Sequence, residues 1–236
     1  MEKGMFYGIG VGVGSMEAVT KKAADILNIL DVLYVPAAKK DESASIAHEI
    51  IKGLINSDTV VKSRHFPMNY NSENLQKSWQ TTADEIEQDV IEGKNVGFVT
   101  IGDPMVYSTY IYLLRILKQK INITTIPGIT SFLDIASKNN FPLVEGDDPL
   151  IVLPATMDTE KLKCYIKNES SIVLMKVYRN FDAVIDLILN EKLEHCSLAV
   201  SNSSKEGERV YKSIIDLKKE DVSYFTTILI NKKWEI

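Results

Sequence analysis

The chain has few cysteines, and nothing in their spacing indicates a bound metal. Cys164 and Cys196 are the two cysteines among 236 residues, and no CxxC or Cys/His ligand spacing accompanies them. A zinc or iron–sulfur site is therefore not expected. So few cysteines also favour a reducing compartment over a secreted, disulfide-bonded fold. We predict a cytoplasmic protein that holds no metal of its own.

Long apolar runs and an excess of positive charge are also missing. No segment approaches the roughly 18 consecutive apolar residues that cross a bilayer, and the first residues lack the apolar region of a signal peptide. We therefore expect neither a membrane partner nor secretion. Lysine and arginine total 27 against 32 aspartate and glutamate residues, a net charge of -5. This balance argues against a nucleic-acid partner, because such proteins need a basic surface to neutralise phosphates.

What the sequence does contain is an alternation of short apolar strands with amphipathic helices. Buried strands such as 6–13 and 95–101 precede segments in which apolar residues recur at helical spacing. This alternation predicts an α/β protein with mainly parallel sheets and right-handed crossovers. A loop-rich stretch, 139–149, marks the boundary between a predicted N-terminal α/β domain, 1–142, and a predicted C-terminal α/β domain, 143–236.

A glycine-rich turn follows the first predicted strand, with the sequence Gly8-Ile9-Gly10-Val11-Gly12-Val13-Gly14-Ser15. Alternating glycines remove side chains where a backbone must turn tightly or touch a ligand. A dinucleotide fingerprint requires G-x-G-x-x-G and an acidic residue at the end of the second strand, and both are missing. A nucleotide-dependent oxidoreductase is therefore the weaker alternative. A turn that serves only packing stays open.

Two later strand ends carry polar residues next to glycine and proline. The first reads Ile101-Gly102-Asp103-Pro104, and the second reads Pro127-Gly128-Ile129-Thr130-Ser131. Ligands of open α/β sheets bind outside the carboxyl ends of strands, so these residues are candidate ligand contacts. The alternative is that their side chains only cap the following helices.

Taken together and in this order, the three motifs resemble those of the tetrapyrrole methylase family. These are S-adenosylmethionine-dependent methyltransferases distinct from the Rossmann type, and the resemblance covers essentially the whole chain. It implies two α/β domains, each with a mixed, mainly parallel sheet flanked by helices, and a cleft between them for the co-substrate. It also implies a homodimer. The first turn departs from the usual Gly-Pro-Gly-Asp of the family, because this chain has Gly12-Val13-Gly14-Ser15.

Several blocks resemble the branch of the family that methylates carbon 20 of a corrin precursor, precorrin-2 or cobalt-factor II. These blocks are Gly102–Tyr110, Pro127–Phe132, Phe141–Leu143, Glu145–Asp147, Val173–Val177 and Tyr224–Thr226. Another methyltransferase of the family is the nearer alternative, and a binding protein without turnover is the more distant one. Whether the tetrapyrrole is metal-free or already holds cobalt stays open.

The resemblance also implies which residues contact each small molecule. The implied contacts of S-adenosylmethionine are Gly102, Asp103, Val106, Thr130, Ser131, Ala155, Met175, Lys176, Asn202 and Ser203. A substrate with many carboxylates needs cationic donors and groups near the ring, for which the candidates are Arg64, His65, Tyr107 and Arg179. No Ser/His/Asp or Cys/His set is apparent, so no catalytic residue is predicted. The rate is expected to come from holding carbon, methyl and sulfur in line with water excluded.

Overall fold

The computed structural model describes residues 4–37, 46–66, 72–217 and 222–235, and the chain forms two compact units. They comprise Met1–Thr130 and Ser131–Ile236, and each is built on its own five-stranded sheet. The predicted α/β class is confirmed. Within the described residues, no helix has the length and apolar character needed to cross a bilayer.

The first unit is a parallel sheet with helices on both faces. Its strands are β1 (Phe6–Gly10), β2 (Val32–Ala37), β3 (Val60–His65), β4 (Val96–Thr100) and β5 (Ile123–Ile126). Its helices are α1 (Lys21–Leu27), α2 (Ile46–Ile51), α3 (Ser72–Ile91) and α4 (Tyr110–Leu117), with a 3-10 turn at Met16–Ala18. The strand order is β3-β2-β4-β1-β5, and each described pairing in this sheet is parallel.

Both faces of the first sheet are covered, as expected where crossover helices connect parallel strands. Neighbouring strand residues point to opposite faces, so Phe98 joins the apolar cluster under α3 and α4, whereas Val99 joins the cluster under α1 and α2. In α3 the inward residues Ala83, Ile86 and Val90 recur at helical spacing. Gly93 ends the helix with a φ of +91°, a conformation that glycine adopts without steric cost.

The strand order places the end of β1 beside the end of β4. From β1 the chain crosses to β2 on one side of the sheet, and from β4 it crosses to β5 on the other side. The two neighbouring strands therefore mark a topological switch point. Ligands of open α/β sheets bind in the crevice outside the carboxyl ends of strands at such a point.

The second unit contains a mixed sheet, as predicted. Its strands are β6 (Leu150–Pro154), β7 (Ser171–Met175), β8 (Ser197–Ser201), β9 (Arg209–Tyr211) and β10 (Thr227–Asn231), in the order β6-β7-β10-β8-β9. Its helices are α5 (Ser131–Lys138), α6 (Thr159–Asn168) and α7 (Phe181–Asn190), with 3-10 turns at Val177–Arg179, Glu194–Cys196 and Ile214–Asp216. Among the described strands of this sheet, β6 and β7 pair in parallel and the other pairings are antiparallel.

The predicted mixed sheet of the C-terminal domain is confirmed, and antiparallel pairs outnumber parallel ones within it. The last strand, β10, inserts between β7 and β8 and runs opposite to both. The short connection from β8 to β9 likewise permits only antiparallel pairing, because a parallel pair needs a long crossover. β9 was not predicted, since its three residues are mostly exposed and carry no apolar alternation.

The two compact units divide between Thr130 and Ser131, whereas the sequence predicts a domain boundary after residue 142. Helix α5 packs against β10. The side-chain amide of Asn231 also donates a hydrogen bond to the carbonyl oxygen of Pro142, with a nitrogen–oxygen distance of 2.8 Å. The segment that follows Thr130 is therefore held by the second sheet.

A buried ionic network ties β2, β3 and α3 of the first unit together. Asp89 is 6% exposed, and its carboxylate accepts hydrogen bonds from Tyr34 (2.8 Å), Lys62 (2.6 Å) and Lys94 (2.8 Å). Burial acts to raise the pKa of Asp89, but the hydrogen bonds from Lys62, Lys94 and Tyr34 outweigh it and hold the pKa below its ordinary value. The network is stable only while the carboxylate is charged.

Replacing Asp89 with asparagine is expected to lower the free energy of unfolding by about 3 kcal/mol at pH 7, because Lys62 and Lys94 lose their shared anion. The native pKa of Asp89 is lowered. The stabilisation is therefore present above the ordinary carboxyl pKa of about 4 and is lost as the pH falls through the native value. Urea unfolding of wild type and Asp89→Asn at several pH values should show a difference that shrinks under acid conditions.

The matched control is Asp25→Asn. Asp25 pairs with Lys21 on the surface, where the two side chains are 62% and 87% exposed. Such pairs contribute under about 1 kcal/mol. Equal losses in the two variants, or a loss in Asp89→Asn that does not change with pH, would contradict the ionic account of this network.

Candidate active site

The three motif loops of the first unit meet at the carboxyl edge of its sheet. The backbone N–H of Gly102 donates to the carbonyl oxygen of Gly12 at 2.7 Å, which joins the loop after β4 to the loop after β1. The backbone N–H of Gly128 donates to Oδ2 of Asp103 at 3.1 Å, which joins the loop after β5 to the loop after β4. The segments picked out from the sequence are thus neighbours at the switch point.

Glycine is required at this junction because the backbones touch. A Cβ atom at Gly10 would lie 2.6 Å from the nitrogen of Gly128 and 2.7 Å from the oxygen of Gly102. A Cβ atom at Gly128 would lie 2.2 Å from the same oxygen of Gly102. Close approach of the backbones therefore excludes a side chain at Gly10 and at Gly128. Gly8 also has a packing role, because its Cβ would lie 2.1 Å from the ring of Tyr110.

The first turn, which has Val13 and Ser15, is shaped by two glycines. Gly12 and Gly14 have φ values of +68° and +73°, a region that glycine enters freely. Val13 between them is buried, and the backbone N–H of Ser15 donates to the carbonyl oxygen of Val13 at 2.9 Å. The two glycines and this backbone hydrogen bond therefore form the turn.

Asp103 braces the loop after β4. Its Oδ1 accepts a hydrogen bond from the backbone N–H of Met105 at 2.8 Å, and its Oδ2 accepts from Gly128. The alternative role as a helix cap is wrong, because α4 begins at Tyr110 and Thr109 occupies its N-cap position. The backbone N–H of Val106, which is half-buried, donates to the carbonyl oxygen of Asp103 at 3.3 Å.

Beside this brace lie room for one more atom at Gly102 and a buried hydroxyl group. Gly102 has a φ of +72°, and the nearest described atoms to a Cβ placed there, from Ile129 and Thr130, are 3.9 Å away. Thr130 is 8% exposed, and its Oγ1 has no hydrogen-bond partner among the described residues. Thr130 therefore does not cap α5, which begins at Ser131. A buried hydroxyl without a partner costs free energy, so a polar group of a ligand would stabilise it.

Tyr107, a predicted substrate contact, lies in the same loop and is 42% exposed with a φ of +50°. Such a conformation is uncommon for a large side chain and occurs often at functional sites. Burial of the hydroxyl raises the pKa of Tyr107. The next residue, Ser108, donates to Oγ1 of Thr100 at 3.1 Å and accepts from the backbone N–H of Tyr110, which holds the loop to its strand.

Arg64 and His65 lie at the end of β3, the outer strand of the sheet, and β2 separates them from β4. The Nε of Arg64 donates to Glu85 of α3 at 3.0 Å, and its guanidinium lies 5.4 Å from the ring centre of Tyr34. Nδ1 of His65 lies 3.3 Å from the carbonyl oxygen of Ala37. The structure does not bring this pair to the loops after β1, β4 and β5, and its substrate role stays a prediction.

In the second unit, the other predicted contacts share one edge of the sheet. Pro154 pairs with Met175 and Thr227 pairs with both Met175 and Val200, so the ends of β6, β7 and β8 and the start of β10 coincide. The predicted residues at this edge are Ala155, Met175, Lys176, Asn202 and Ser203. The backbone N–H of buried Ala155 donates to the carbonyl oxygen of Met175 at 2.7 Å, and Asn180 donates to the carbonyl oxygen of Ala155 at 2.8 Å.

The same edge carries basic and aromatic side chains. Lys176 follows β7 in the left-handed region with a φ of +60°, and burial lowers its pKa. The Nε of Arg179 donates to the hydroxyl of Tyr178 at 2.7 Å, and the ring of Tyr178 lies 5.5 Å from that of Tyr224. Positive charge and aromatic rings are the groups that recognise a flat, anionic ligand.

Lys205 belongs to this group of basic side chains and was missed from the sequence. Its Nζ lies 2.8 Å from the ring centre of Phe225, and burial lowers the pKa of Lys205 to about 8. Only the pairing of β8 with β10 brings the two residues together, so no local pattern indicated the contact. Among the described residues, no group of three or more His, Cys, Asp or Glu side chains is placed to hold a metal ion.

Comparison with known proteins places these features in a family. The model of the tetrapyrrole (corrin/porphyrin) methylases matches residues 5–217. The chain is 34% identical to the cobalt-precorrin-2 C(20)-methyltransferase of Salmonella typhimurium, with 98% of each chain covered. It is 32% identical to a probable cobalt-precorrin-2 C(20)-methyltransferase of Methanocaldococcus jannaschii, covering 97% of this chain and 96% of that one.

Solved structures have the same fold at lower sequence identity. A cobalt-precorrin-4 methyltransferase aligns with a TM-score of 0.74 at 19% identity, covering 96% of this chain and 94% of that one. The uroporphyrin-III C-methyltransferase of Thermus thermophilus aligns with a TM-score of 0.69 at 18% identity, covering 98% and 95%. The family model spans most of the chain and a relative above 30% identity spans nearly all of it, so this chain belongs to the tetrapyrrole methylases.

Proposed function

We propose that this protein, a methyltransferase of the tetrapyrrole methylase family, transfers the methyl group of S-adenosylmethionine to carbon 20 of precorrin-2. The observation that carries the proposal is the similarity, over nearly the full length of both chains, to relatives named for methylation at C20. We further propose the cobalt-containing form as the preferred substrate. The relatives named for it are 34% and 32% identical to this chain, whereas the precorrin-2 C(20)-methyltransferase of Sinorhizobium is 27% identical.

The loops of the first unit fit a zwitterionic co-substrate. The space beside Gly102 admits an atom where any other residue would place its Cβ, and the buried hydroxyl of Thr130 offers both a donor and an acceptor. We propose that Gly102, Asp103, Val106 and Thr130 contact S-adenosylmethionine from this unit, and that Ser131, the first residue of the second unit, contacts it as well. The other contacts proposed in the second unit are Ala155, Met175, Lys176, Asn202 and Ser203.

S-adenosylmethionine supplies an activated methyl group on a sulfonium. In the transfer, C20 forms a bond to the methyl carbon while the bond from that carbon to sulfur breaks, and the hydrogen that C20 carried leaves as a proton to solvent. The chain contributes by orienting the reactants and excluding water, which is enough for a displacement of this kind. Arg64, His65, Tyr107 and Arg179 are proposed to contact the tetrapyrrole, and Lys176 and Lys205 add positive charge at the edge of the second sheet.

The remaining proposals concern the state of the protein in the cell. We propose a cytoplasmic homodimer that holds no metal of its own and binds neither nucleic acid nor membrane. The small number of cysteines supports the compartment, and the net charge of -5 argues against nucleic acid. The homodimer rests on the resemblance to the family. The cobalt ion enters only as part of the tetrapyrrole.

Anaerobic incubation with S-adenosylmethionine and either precorrin-2 or its cobalt complex tests the activity directly. We expect one methyl group to be added at C20, faster with the cobalt complex, as measured by product mass and by the ring position of a labelled methyl carbon. Methylation at another ring position would assign the chain to another branch of the family. Binding of S-adenosylhomocysteine without any methyl transfer would favour a binding protein that lacks turnover.

Replacing Thr130 with valine tests the site in the first unit. The change removes the buried hydroxyl and keeps the side-chain shape. We expect the dissociation constant of S-adenosylhomocysteine to rise about tenfold, because a ligand hydrogen bond is lost. The unliganded protein should not lose stability, because the hydroxyl has no partner among the described residues. Calorimetric titration and thermal unfolding measure the two effects.

The control for this variant is Thr125→Val. Oγ1 of Thr125 lies 2.7 Å from the hydroxyl of Tyr110, so its removal leaves a buried hydroxyl unpaired. We expect a loss of about 1 kcal/mol in stability and an unchanged affinity for S-adenosylhomocysteine. The opposite pattern in the two variants would refute the assignment of Thr130.

Replacing Gly128 with alanine tests the junction of the loops. The new Cβ would lie 2.2 Å from the carbonyl oxygen of Gly102, so the two loops must move apart. We expect a loss of more than about 2 kcal/mol in stability and a large loss of S-adenosylhomocysteine binding. Gly53→Ala is the matched control, because the nearest described atom to its Cβ is the sulfur of Met16 at 3.6 Å. It should leave both properties nearly unchanged, and a tolerated Gly128→Ala would show that close approach is not required.

A further inference from the structure

The loop that follows β8 has an unfavourable backbone conformation. Asn202 and Ser204 have φ values of +55° and +58°, and neither is glycine. Residues with side chains adopt this region at a cost in free energy, and they remain there only where surrounding contacts hold them. The loop, residues 202–204, contains two of the proposed contacts of S-adenosylmethionine. Whatever holds this conformation therefore bears on co-substrate binding.

One carboxylate from outside the loop accepts hydrogen bonds from two hydroxyl groups of the loop. Oδ2 of Asp134, on α5, accepts hydrogen bonds from Oγ of Ser203 at 2.9 Å and from Oγ of Ser204 at 2.7 Å. Ser203 is 5% exposed and the side chain of Asp134 is 16% exposed, so water competes little for these bonds. Hydrogen bonds to an ionised acceptor are the strong ones.

Further contacts complete the support around Ser204. Nζ of Lys138, one turn along α5, lies 3.5 Å from Oδ2 of Asp134 and also bonds the hydroxyl of Ser204. The backbone N–H of Ser204 donates to Glu208. At the other end of the loop, Oδ1 of Asn202 accepts from the hydroxyl of Ser223 at 2.7 Å. Asp134 and Lys138 both link the loop to α5, and of the two it is Asp134 that accepts hydrogen bonds from both Ser203 and Ser204.

Helix α5 itself begins within a proposed contact segment. Thr130 and Ser131, at its start, are proposed to contact the co-substrate, and Asp134 follows Ser131 by one turn of the same helix. The carboxylate of Asp134 thus joins two segments that are far apart in sequence and are both proposed to bind the same molecule. The link to Ser203 and Ser204 passes through this one carboxylate, so a substitution at Asp134 removes both hydrogen bonds.

We propose that Asp134 is a positioning residue for co-substrate binding, whose carboxylate holds residues 202–204 in their binding conformation through Ser203 and Ser204. The inference rests on the proposed function, since it takes S-adenosylmethionine as the molecule that the loop contacts. Asp134 does not itself contact the reactants in this proposal. It acts through the backbone and hydroxyl groups of the loop.

The test compares Asp134→Ala and Asp134→Asn with wild type. We expect Asp134→Ala to raise the KM for S-adenosylmethionine and the dissociation constant of S-adenosylhomocysteine about tenfold or more. The KM for the tetrapyrrole and kcat at saturation should stay within about twofold of wild type. Asp134→Asn keeps an oxygen that can accept hydrogen bonds from both hydroxyls. Its affinity for S-adenosylhomocysteine should therefore be much closer to wild type than that of Asp134→Ala.

The matched control is Asp148→Ala. Asp148 lies in the same unit, is 19% exposed and pairs with Lys233 at 2.7 Å, but it does not belong to the loop or to α5. It should lower thermal stability about as much as Asp134→Ala and leave S-adenosylhomocysteine affinity unchanged. If Asp134→Ala likewise lowers thermal stability but leaves the affinity for S-adenosylhomocysteine unchanged, Asp134 has only a structural role and the proposal is wrong.

A milder variant covers the case in which Asp134→Ala fails to fold. Ser204→Ala removes one of the two hydroxyls that donate hydrogen bonds to Asp134, and it changes no residue of α5. We expect it to weaken S-adenosylhomocysteine binding about threefold in wild type. In the Asp134→Ala background the further loss should be smaller than in wild type, because the hydroxyl of Ser204 has already lost Asp134 and keeps only Lys138. Independent, additive losses would overturn the proposal.

Wild-type binding separates this proposal from the proposed function. If the wild-type protein does not bind S-adenosylhomocysteine by calorimetry, the proposed function fails and the role of Asp134 fails with it. If wild type binds and the Asp134 and Ser204 variants bind equally well, only the role of Asp134 is refuted.

Discussion

Close contact between three backbone turns is the constraint on which the site of the first unit depends. Gly10, Gly102 and Gly128 approach so closely that a Cβ atom at Gly10 or Gly128 would collide with backbone atoms. The contact sits at the switch point of the sheet, where neighbouring strand ends lead in opposite directions. With side chains removed from the junction, backbone atoms and the buried hydroxyl of Thr130 are what the first unit presents to a ligand.

This arrangement suits a reaction that needs orientation more than acid–base chemistry. The carboxylate of Asp103 accepts hydrogen bonds from the backbone N–H groups of Met105 and Gly128, and these bonds hold the loop in its conformation. Methyl transfer from a sulfonium proceeds by displacement once the reacting atoms are aligned, and alignment alone accounts for large rate enhancements. A rigid glycine junction braced by one carboxylate is consistent with that demand.

The net charge of the chain does not reveal where its basic side chains lie. The chain carries a net charge of -5, yet Lys176, Arg179 and Lys205 lie at one edge of the second sheet, and burial lowers the pKa values of Lys176 and Lys205. Partly desolvated cations bind carboxylates more strongly than surface ones, because less water competes for them. The acidic total argues against nucleic acid, and the basic edge suits an anionic small molecule.

The sequence by itself determined the α/β class, the parallel first sheet and the three strand ends that form its site, because each depends on neighbours along the chain. Apolar periodicity, glycine and proline are local signals, and Gly102, Asp103 and Thr130 lie where such signals placed them.

Only the tertiary structure decided which distant residues became partners. The insertion of β10 between β7 and β8, the pairing of Arg64 with Glu85, the ring of Phe225 beside Lys205 and the link from Asp134 to Ser203 all join segments far apart in sequence. Such contacts follow from the packing of whole elements, and no pattern within one element specifies them.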